Sequence, residues 1–150
     1  MARIIAICNQ KGGIGKTTTA VSLATGLARL GKKTLLIDTD AQCNSTDTYR
    51  AVTKDTATLY DLLLENEDLE ECIQHTSSGD IIASDKLLTS AEQKFPQDPS
   101  RYFLMKQKCQ ALEDMYDYII IDTPPVLGVI LSNVLTYANE CIIPFTCDRY

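Results

Sequence analysis

The chain has 150 residues, of which 45% are hydrophobic and 23% are charged, and its formal net charge is −6 at pH 7. This length and composition are typical of one soluble globular domain and exclude a disordered tail, a collagen-like fibre and a coiled coil. The acidic balance argues against a protein that binds nucleic acid over its whole surface. No apolar run approaches the roughly 18 residues that a membrane-spanning helix needs, and residues 4–8 are too short for the core of a signal peptide. The sequence therefore predicts a cytoplasmic protein.

The cysteine pattern does not predict a zinc site. The six cysteines are far apart in sequence, none belongs to a C-x-x-C pair, and His75 is the only histidine. A zinc site needs closely spaced ligands, and a cytoplasmic chain keeps its thiols reduced. We predict that most of the cysteines are small buried hydrophobic residues and that His75 lies in an exposed loop.

Short apolar runs alternate with helical patterns along the chain. The predicted strands cover residues 3–8, 33–38, 80–84, 116–122 and 140–145. The predicted helices cover residues 16–30, 57–65, 68–74, a short stretch near Ser90, 100–114 and 132–137. Thr58 with Asp61 resembles a capping arrangement for the second helix, and Ser100 is the expected cap of the helix over 100–114. Strands that alternate with helices predict a three-layer α/β fold with a mostly parallel sheet and helices on both faces.

The last predicted strand lies close to residue 150. A buried strand over 140–145 would leave a sheet edge that no helix covers. The sequence is therefore expected to be the N-terminal part of a larger domain.

A glycine-rich segment connects the first predicted strand to the first predicted helix. Residues 11–19 read Lys-Gly-Gly-Ile-Gly-Lys-Thr-Thr-Thr, and this position is the one that a phosphate-binding loop requires. Glycines let backbone N–H groups turn inward, the helix start adds positive charge, and a lysine followed by threonine provides a phosphate contact and a Mg²⁺ ligand. The predicted binding residues are Lys11, Gly12, Gly13, Ile14, Gly15, Lys16, Thr17 and Thr18. The alternative is a glycine-rich turn with solvated lysines, which the combined pattern disfavours.

The loop departs from the usual G-x-x-x-x-G-K-[ST] pattern, because Gln10 replaces its first glycine and a second lysine follows at position 11. The run N-Q-K-G-G-I-G-K-T-T-T over residues 9–19 resembles the deviant Walker A loop of ParA/MinD P-loop ATPases, in particular ParA/Soj-type partitioning proteins. The resemblance implies one P-loop ATPase domain over residues 1–150, with ATP and Mg²⁺ as ligands. It also implies that Lys11 reaches the phosphates of the partner subunit in a nucleotide-sandwich dimer.

Residues 38–44 follow the second predicted strand and resemble the D-x-D-P-Q-G-N segment of ParA proteins. The resemblance implies that Asp40 orients the attacking water, and a carboxylate at the end of a parallel strand faces the ligand crevice. Ala41 and Cys43 replace the proline and glycine of the family pattern, which predicts a slightly different loop. Cys43 is either a reactive thiol beside the phosphates or an inert small residue. Asp38 is predicted to be a structural hydrogen-bonding group.

The fourth predicted strand ends in Ile119-Ile120-Ile121-Asp122 and then Thr123-Pro124-Pro125. Apolar residues that lead to an aspartate, downstream of a phosphate loop, resemble a Walker B strand. Asp122 is then expected in the Mg²⁺ shell through water, beside the directly ligating Thr17. The two prolines form a stiff turn that can couple the phosphate state to the following helix.

The resemblance implies a slow ATPase of chromosome or plasmid partitioning, with ATP-dependent homodimerisation and a ParB-like stimulating partner. Family members also bind DNA non-specifically through a later segment, and the charge of −6 argues against that activity here. No membrane-binding helix of the MinD type is present. One alternative is a nucleotide-binding module without useful catalysis. The other is an electron-transfer ATPase similar to the nitrogenase iron protein, whose cluster cysteines are not matched by the sequence around Cys141 and Cys147.

Overall fold

The computed structural model describes residues 1–147. Its frame is a six-stranded sheet in the order β3-β4-β2-β5-β1-β6. The strands are β1 (Arg3–Ile7), β2 (Thr34–Asp38), β3 (Ile73–Thr76), β4 (Gly79–Ile82), β5 (Tyr118–Asp122) and β6 (Glu140–Ile142). The α-helices are α1 (Lys16–Arg29), α2 (Asn44–Thr48), α3 (Leu59–Leu64), α4 (Leu104–Cys109), α5 (Leu112–Met115) and α6 (Val129–Tyr137). Short 3₁₀ segments occupy Glu70–Cys72, Lys86–Gln93 and Pro99–Tyr102.

The three central strands are buried on both faces. β5 pairs in parallel with β1 and with β2, and Ile120 of β5 lies opposite Ile5 and Leu36. Continuous apolar runs suit such strands because helices cover both faces of a parallel sheet. The predicted α/β fold with a mostly parallel sheet is confirmed.

Helices pack against the two faces in separate clusters. On one face, Ala20 and Ala24 of α1 pack against Ile5, Leu36 and Ile120. On the other face, the apolar side chains of α3, α4 and α6 pack against the intervening strand residues, which include Ile4, Leu35 and Ile119. Successive residues of a strand point to opposite faces, so each central strand contributes side chains to both clusters. The sheet is therefore the middle layer between two layers of helices. None of the helices within residues 1–147 is long and apolar enough to span a membrane.

The prediction of a helix over residues 68–74 is wrong. That segment contains one 3₁₀ turn, Glu70–Cys72, and then enters β3, which pairs antiparallel with β4. The hairpin turn uses Gly79 at φ 133°, a conformation that suits glycine. Ile73 and Thr76 are β-branched and therefore favour a strand. The helical pattern around them is short, and pairing with β4 outweighs it.

The helix predicted over residues 100–114 is also wrong, because the segment is divided between a 3₁₀ turn, α4 and α5. Asp98 caps the turn by accepting from Ser100 N, so Ser100 itself is not the cap. Asn133 of α6 explains the break: its side chain donates to the Arg101 carbonyl and accepts from Met105 N, two groups that a continuous helix would bond internally.

The strand predicted over residues 140–145 is shorter and less buried than expected. β6 covers Glu140–Ile142, all three residues are exposed, and Ile143 and Phe145 beyond it are exposed as well. β6 pairs with β1 alone among the described residues, and Glu140 forms a two-bond ion pair with Arg3 at 2.7 Å. Within residues 1–147, β6 is thus the last strand on the β1 side of the sheet, and residues 143–145 lie beyond it.

Three further helix predictions have different outcomes. The helix predicted over 57–65 is α3, and its capping box between Thr58 and Asp61 is confirmed. The helix predicted over 132–137 begins three residues earlier, at Val129 of α6. The short helix expected near Ser90 is the 3₁₀ segment Lys86–Gln93, which Asp85 caps.

Asn133→Ala should lower the free energy of unfolding by about 2–3 kcal/mol, because it leaves buried backbone groups of Arg101 and Met105 without partners. Thr136→Ala is the control, since Thr136 bonds only to Ser132 within α6, and it should change stability by less than about 0.5 kcal/mol. Chemical denaturation measures both. Equal effects of the two substitutions would contradict the bridging role of Asn133.

Candidate functional site

The glycine-rich loop joins β1 to α1 at the carboxyl end of the sheet. Gly13 and Gly15 have φ of 71° and 88°, in the left-handed region that favours glycine. No side chain caps the start of α1, and its first turn contains no acidic residue. The free N–H groups of this 14-residue helix therefore remain available to an anion, with the positive end of the helix dipole behind them.

Lys16, at the first position of α1, has its ammonium group inside the loop. Only 8% of the residue is exposed, and Nζ donates to the Lys11 carbonyl at 3.0 Å. Burial of a charged ammonium group is unfavourable without partners, so this contact holds the lysine across the loop.

Lys11 itself has an exposed side chain. Its backbone N–H donates to Asn9 Oδ1 at 2.9 Å, and Asn9 Nδ2 donates to the Pro144 carbonyl at 2.8 Å. The start of the loop is thereby tied to the segment that follows β6.

Asp122 ends β5 and is 1% exposed. Its Oδ2 accepts from the hydroxyls of Thr17 at 2.8 Å and Ser45 at 2.7 Å. Its Oδ1 is buried and has no partner within the described residues. Burial raises the pKa of Asp122, and the two hydroxyl donors oppose that shift.

Asp38, the last residue of β2, is fully buried and anchors two neighbouring segments. Oδ1 accepts from Asp40 N at 3.0 Å, while Oδ2 accepts from Thr46 N at 2.9 Å and Thr46 Oγ1 at 2.8 Å. Burial raises the pKa of Asp38 to about 6, and these hydrogen bonds oppose the rise. The contacts match the structural role predicted for this residue.

Asp40 lies two residues beyond β2 and is partly exposed. Its Oδ1 accepts from Gln42 N at 2.9 Å, and its carbonyl accepts from Ser84 Oγ at 2.7 Å. The backbone is thus fixed on both sides, and the carboxylate borders the same cleft as the glycine loop.

That cleft has a volume of about 460 Å³, within the usual range for small-molecule sites. It is lined by Gly12, Gly13, Gly15, Lys16, Thr17, Thr18, Asp40, Gln42, Asn44 and Pro125. Most of the predicted loop residues and Asp40 therefore share one cleft, whereas Lys11 and Ile14 belong to the loop without lining it. Asp122 contacts the cleft through Thr17.

Sequence reasoning missed Ser45 and the cleft position of Asn44 and Pro125. Ser45 lies on α2, a short helix that was not predicted. A run of Asn, Ser, Thr and Asp over residues 44–47 is a common helix start, and that signal was present.

The site offers few protein ligands for a metal. Within residues 1–147, no three His, Cys, Asp or Glu side chains are grouped as a metal-binding set. Mg²⁺ keeps several waters and often takes only one or two protein ligands besides phosphate oxygens. The Thr17 hydroxyl and the unpartnered Asp122 Oδ1 fit that requirement.

Cys43 directly precedes α2 and has a left-handed backbone, φ 58° and ψ 27°. This conformation favours glycine, the residue of the resembled pattern, and strains a residue with a side chain. Burial raises the pKa of the Cys43 thiol, which lowers its thiolate fraction. Of the two roles considered, the pKa favours the inert one.

A second groove of about 560 Å³ adjoins the cleft and shares Asp40, Gln42 and Pro125 with it. The loop after β5 forms one wall, and the 3₁₀ segment Lys86–Gln93 contributes the other. Glu92 Oε1 bridges the walls by accepting from Val129 N at 2.8 Å. A Cβ atom at Gly128 would overlap this carboxylate.

A strand, a glycine loop with a lysine at a helix start, and a neighbouring strand that ends in a threonine-bound aspartate define a P-loop domain. A family model described as an AAA domain, AAA_31, matches residues 2–150. The chain belongs to this family.

Curated relatives match the whole chain. The sporulation initiation inhibitor protein Soj of Bacillus subtilis is 40% identical over 153 residues, and the chromosome partitioning protein ParA of Myxococcus xanthus is 38% identical over 154 residues. Both alignments cover 100% of this chain, and the chain spans 60% and 54% of the two relatives. The resemblance to ParA/Soj-type proteins is confirmed.

Solved structures agree with the fold. Cobyrinic acid a,c-diamide synthase from Mycobacterium smegmatis with bound ADP and magnesium has a TM-score of 0.93 at 31% identity, covering 99% of this chain and 62% of the synthase. A putative plasmid partition protein from Borrelia burgdorferi bound to AMPPNP has a TM-score of 0.89 at 34% identity, covering 99% and 64%. Both likenesses extend over essentially the whole chain.

Cys43→Gly should raise the free energy of unfolding by about 0.5–1 kcal/mol, because glycine relieves the strain of the left-handed backbone. The gain is smaller than the strain itself, because glycine loses more conformational entropy when the chain folds. Cys43→Ala, which keeps a Cβ atom and therefore the strain, should bring no such gain. Chemical denaturation compares the variants. A stabilised Cys43→Ala would show that the thiol, and not the backbone, is the source of strain.

Proposed function

We propose that this chain binds ATP with Mg²⁺ in the cleft and hydrolyses it to ADP and phosphate, as a partitioning-type ATPase switch. The observation that carries the proposal is one cleft of about 460 Å³ in which the glycine loop, Lys16, Thr17 and Asp40 meet. Residues 1–150 then act as a single P-loop ATPase domain.

The phosphates are bound by the loop and the start of α1. The N–H groups of the first turn of α1 supply neutral donors, since no side chain caps them, and Gly13 and Gly15 line the cleft beside them. Lys16 supplies the cation: its Nζ needs to leave only the Lys11 carbonyl to bind a phosphate oxygen. Charge-assisted bonds to phosphate are stronger than that neutral acceptor contact.

Thr17 would hold magnesium directly, and Asp122 would hold it through water. The Thr17 oxygen can bind a cation while the hydroxyl still donates its hydrogen bond to Asp122 Oδ2, and Oδ1 has no partner among the described residues and can accept from a water. When bound, the metal neutralises charge on the phosphate oxygens.

Asp40 orients the attacking water. Its Oδ1 accepts from Gln42 N, its Oδ2 accepts no hydrogen bond from the described residues, and the residue lines the cleft. A carboxylate fixed in this way can accept a hydrogen bond from water and align it for in-line attack on the γ-phosphate.

Lys11 acts in a second subunit. Its side chain is exposed and does not line its own cleft, which suits a contact with the phosphates of a facing copy. The dimer forms with ATP and dissociates after hydrolysis, a ParB-like protein stimulates the reaction, and the protein acts in the cytoplasm on chromosome or plasmid partition. The net charge of −6 gives no support to non-specific DNA binding by residues 1–150.

Lys16→Ala should abolish saturable Mg·ATP binding in calorimetric titration, because the loop then lacks its buried cation. Lys32→Ala is the matched control, since Lys32 is exposed and lies beyond α1, and it should bind as the unchanged chain does. Binding that survives Lys16→Ala would contradict the placement of the phosphates in this loop.

Asp40→Ala should lower the rate of ATP hydrolysis by about 100-fold or more while Mg·ATP still binds, since only the alignment of water is removed. Phosphate release assays measure the rate, and titration measures binding. An unchanged rate would contradict the role of Asp40. Lys16-dependent binding without any hydrolysis by the unchanged chain would favour the alternative, a nucleotide-binding module without catalysis.

A further inference from the structure

Two hydroxyl groups hold the same oxygen of Asp122, and they come from different helices. Thr17 belongs to α1 and Ser45 to α2, and they donate to Oδ2 at 2.8 and 2.7 Å. A carboxylate oxygen offers about two lone-pair directions, so these donors occupy Oδ2. Oδ1 of the same group is buried and has no partner among residues 1–147.

The position of Ser45 is set by buried contacts. Ser45 is 0% exposed, and the next residue, Thr46, donates both its N–H and its hydroxyl to Asp38 Oδ2. Thr46 Oγ1 in turn accepts from Ser84 N at 2.9 Å. The first turn of α2 is thereby fixed to the ends of β2 and β4.

Thr17 and Ser45 differ in what else they touch. Thr17 lines the cleft and is expected to bind the metal through its oxygen, whereas Ser45 does not line the cleft. The Ser45 side chain is fully buried and its hydroxyl already donates to Asp122, so it is not placed to contact the nucleotide. Its hydroxyl acts only on Asp122.

We propose that Ser45 is a positioning residue of the magnesium site: its bond to Oδ2 fixes the Asp122 carboxylate and leaves Oδ1 for the water molecules on the metal. Without Ser45, Thr17 alone restrains the carboxylate, which can then turn and exchange its two oxygens. Groups that orient metal ligands contribute strongly to metal affinity without touching the metal. The inference rests on the proposed function, since it concerns the same Mg²⁺.

The test measures the Mg²⁺ requirement of nucleotide binding, using the full chain and a fluorescent non-hydrolysable ATP analogue. Ser45→Ala should raise the Mg²⁺ concentration for half-maximal binding by about tenfold, and affinity in EDTA should not change. Thr48→Ala is the matched control, because Thr48 lies on the same helix and bonds only to the Asn44 carbonyl. It should behave as the unchanged chain does.

Three outcomes would overturn the inference. An unchanged Mg²⁺ requirement in Ser45→Ala would show that Ser45 does not position Asp122. An equal loss of affinity with Mg²⁺ and in EDTA would show a general structural role. Absence of any nucleotide binding by the unchanged chain would overturn the proposed function and this inference with it, a result distinct from the other two.

If Ser45→Ala does not fold by circular dichroism, Ser45→Cys is the second variant. The thiol fills nearly the same buried volume but is a weak donor. A folded Ser45→Cys should also need more Mg²⁺, by several-fold. A folded Ser45→Cys with the Mg²⁺ requirement of the unchanged chain would overturn the inference.

Discussion

The site depends on the parallel register of three strands. Asp122 of β5 lies opposite Ile7 of β1 and Asp38 of β2, so three chain segments leave the sheet side by side. The isoleucine-rich strands are apolar on both faces, and their pattern alone does not distinguish one register from the next. Polar strand-end bonds do: Thr39 donates its N–H and hydroxyl to the Asp122 carbonyl, and Thr123 Oγ1 donates to the Ile7 carbonyl. A slip of one residue would break these bonds and turn Asp122 away from Thr17.

Beneath the cleft lies a layer of buried polar side chains. Burial raises the pKa of both Asp38 and Asp122, so the fold disfavours their ionised forms. The folded state binds a proton at Asp38 more tightly than the unfolded chain does, because the pKa is raised to about 6. Protonated Asp38 therefore stabilises the fold at low pH, and this stabilisation is lost as pH rises through about 6. Hydroxyl and backbone donors oppose the rise in pKa, and of the four carboxylate oxygens only Asp122 Oδ1 is buried without a partner among the described residues. In a site that binds a cation, an unpaired carboxylate oxygen can accept a hydrogen bond from water on the metal.

The sequence predicted the sheet core and the segments that line the cleft better than the periphery. The glycine loop and the strand that ends at Asp122 are local signals, because each is a short run of adjacent residues whose chemistry needs no distant partner. The errors lie where distant contacts decide the outcome. Asn133 breaks the helix predicted over 100–114 from another helix, and β3 forms because β4 offers it a partner. The bond of Ser45 to Asp122 was missed for the same reason, since it joins positions 77 residues apart.

The Glu92 bridge also limits which sequences this loop can have. Glu92 accepts from the first N–H of α6 in the space that a side chain at Gly128 would need. The carboxylate is the far end of a flexible side chain, so a larger residue at 128 would displace it and leave the sheet unchanged. The first N–H of α6 would then lose its hydrogen-bond acceptor. Positions 92 and 128 are therefore expected to vary together among homologous sequences: a glutamate at the first should accompany a glycine at the second.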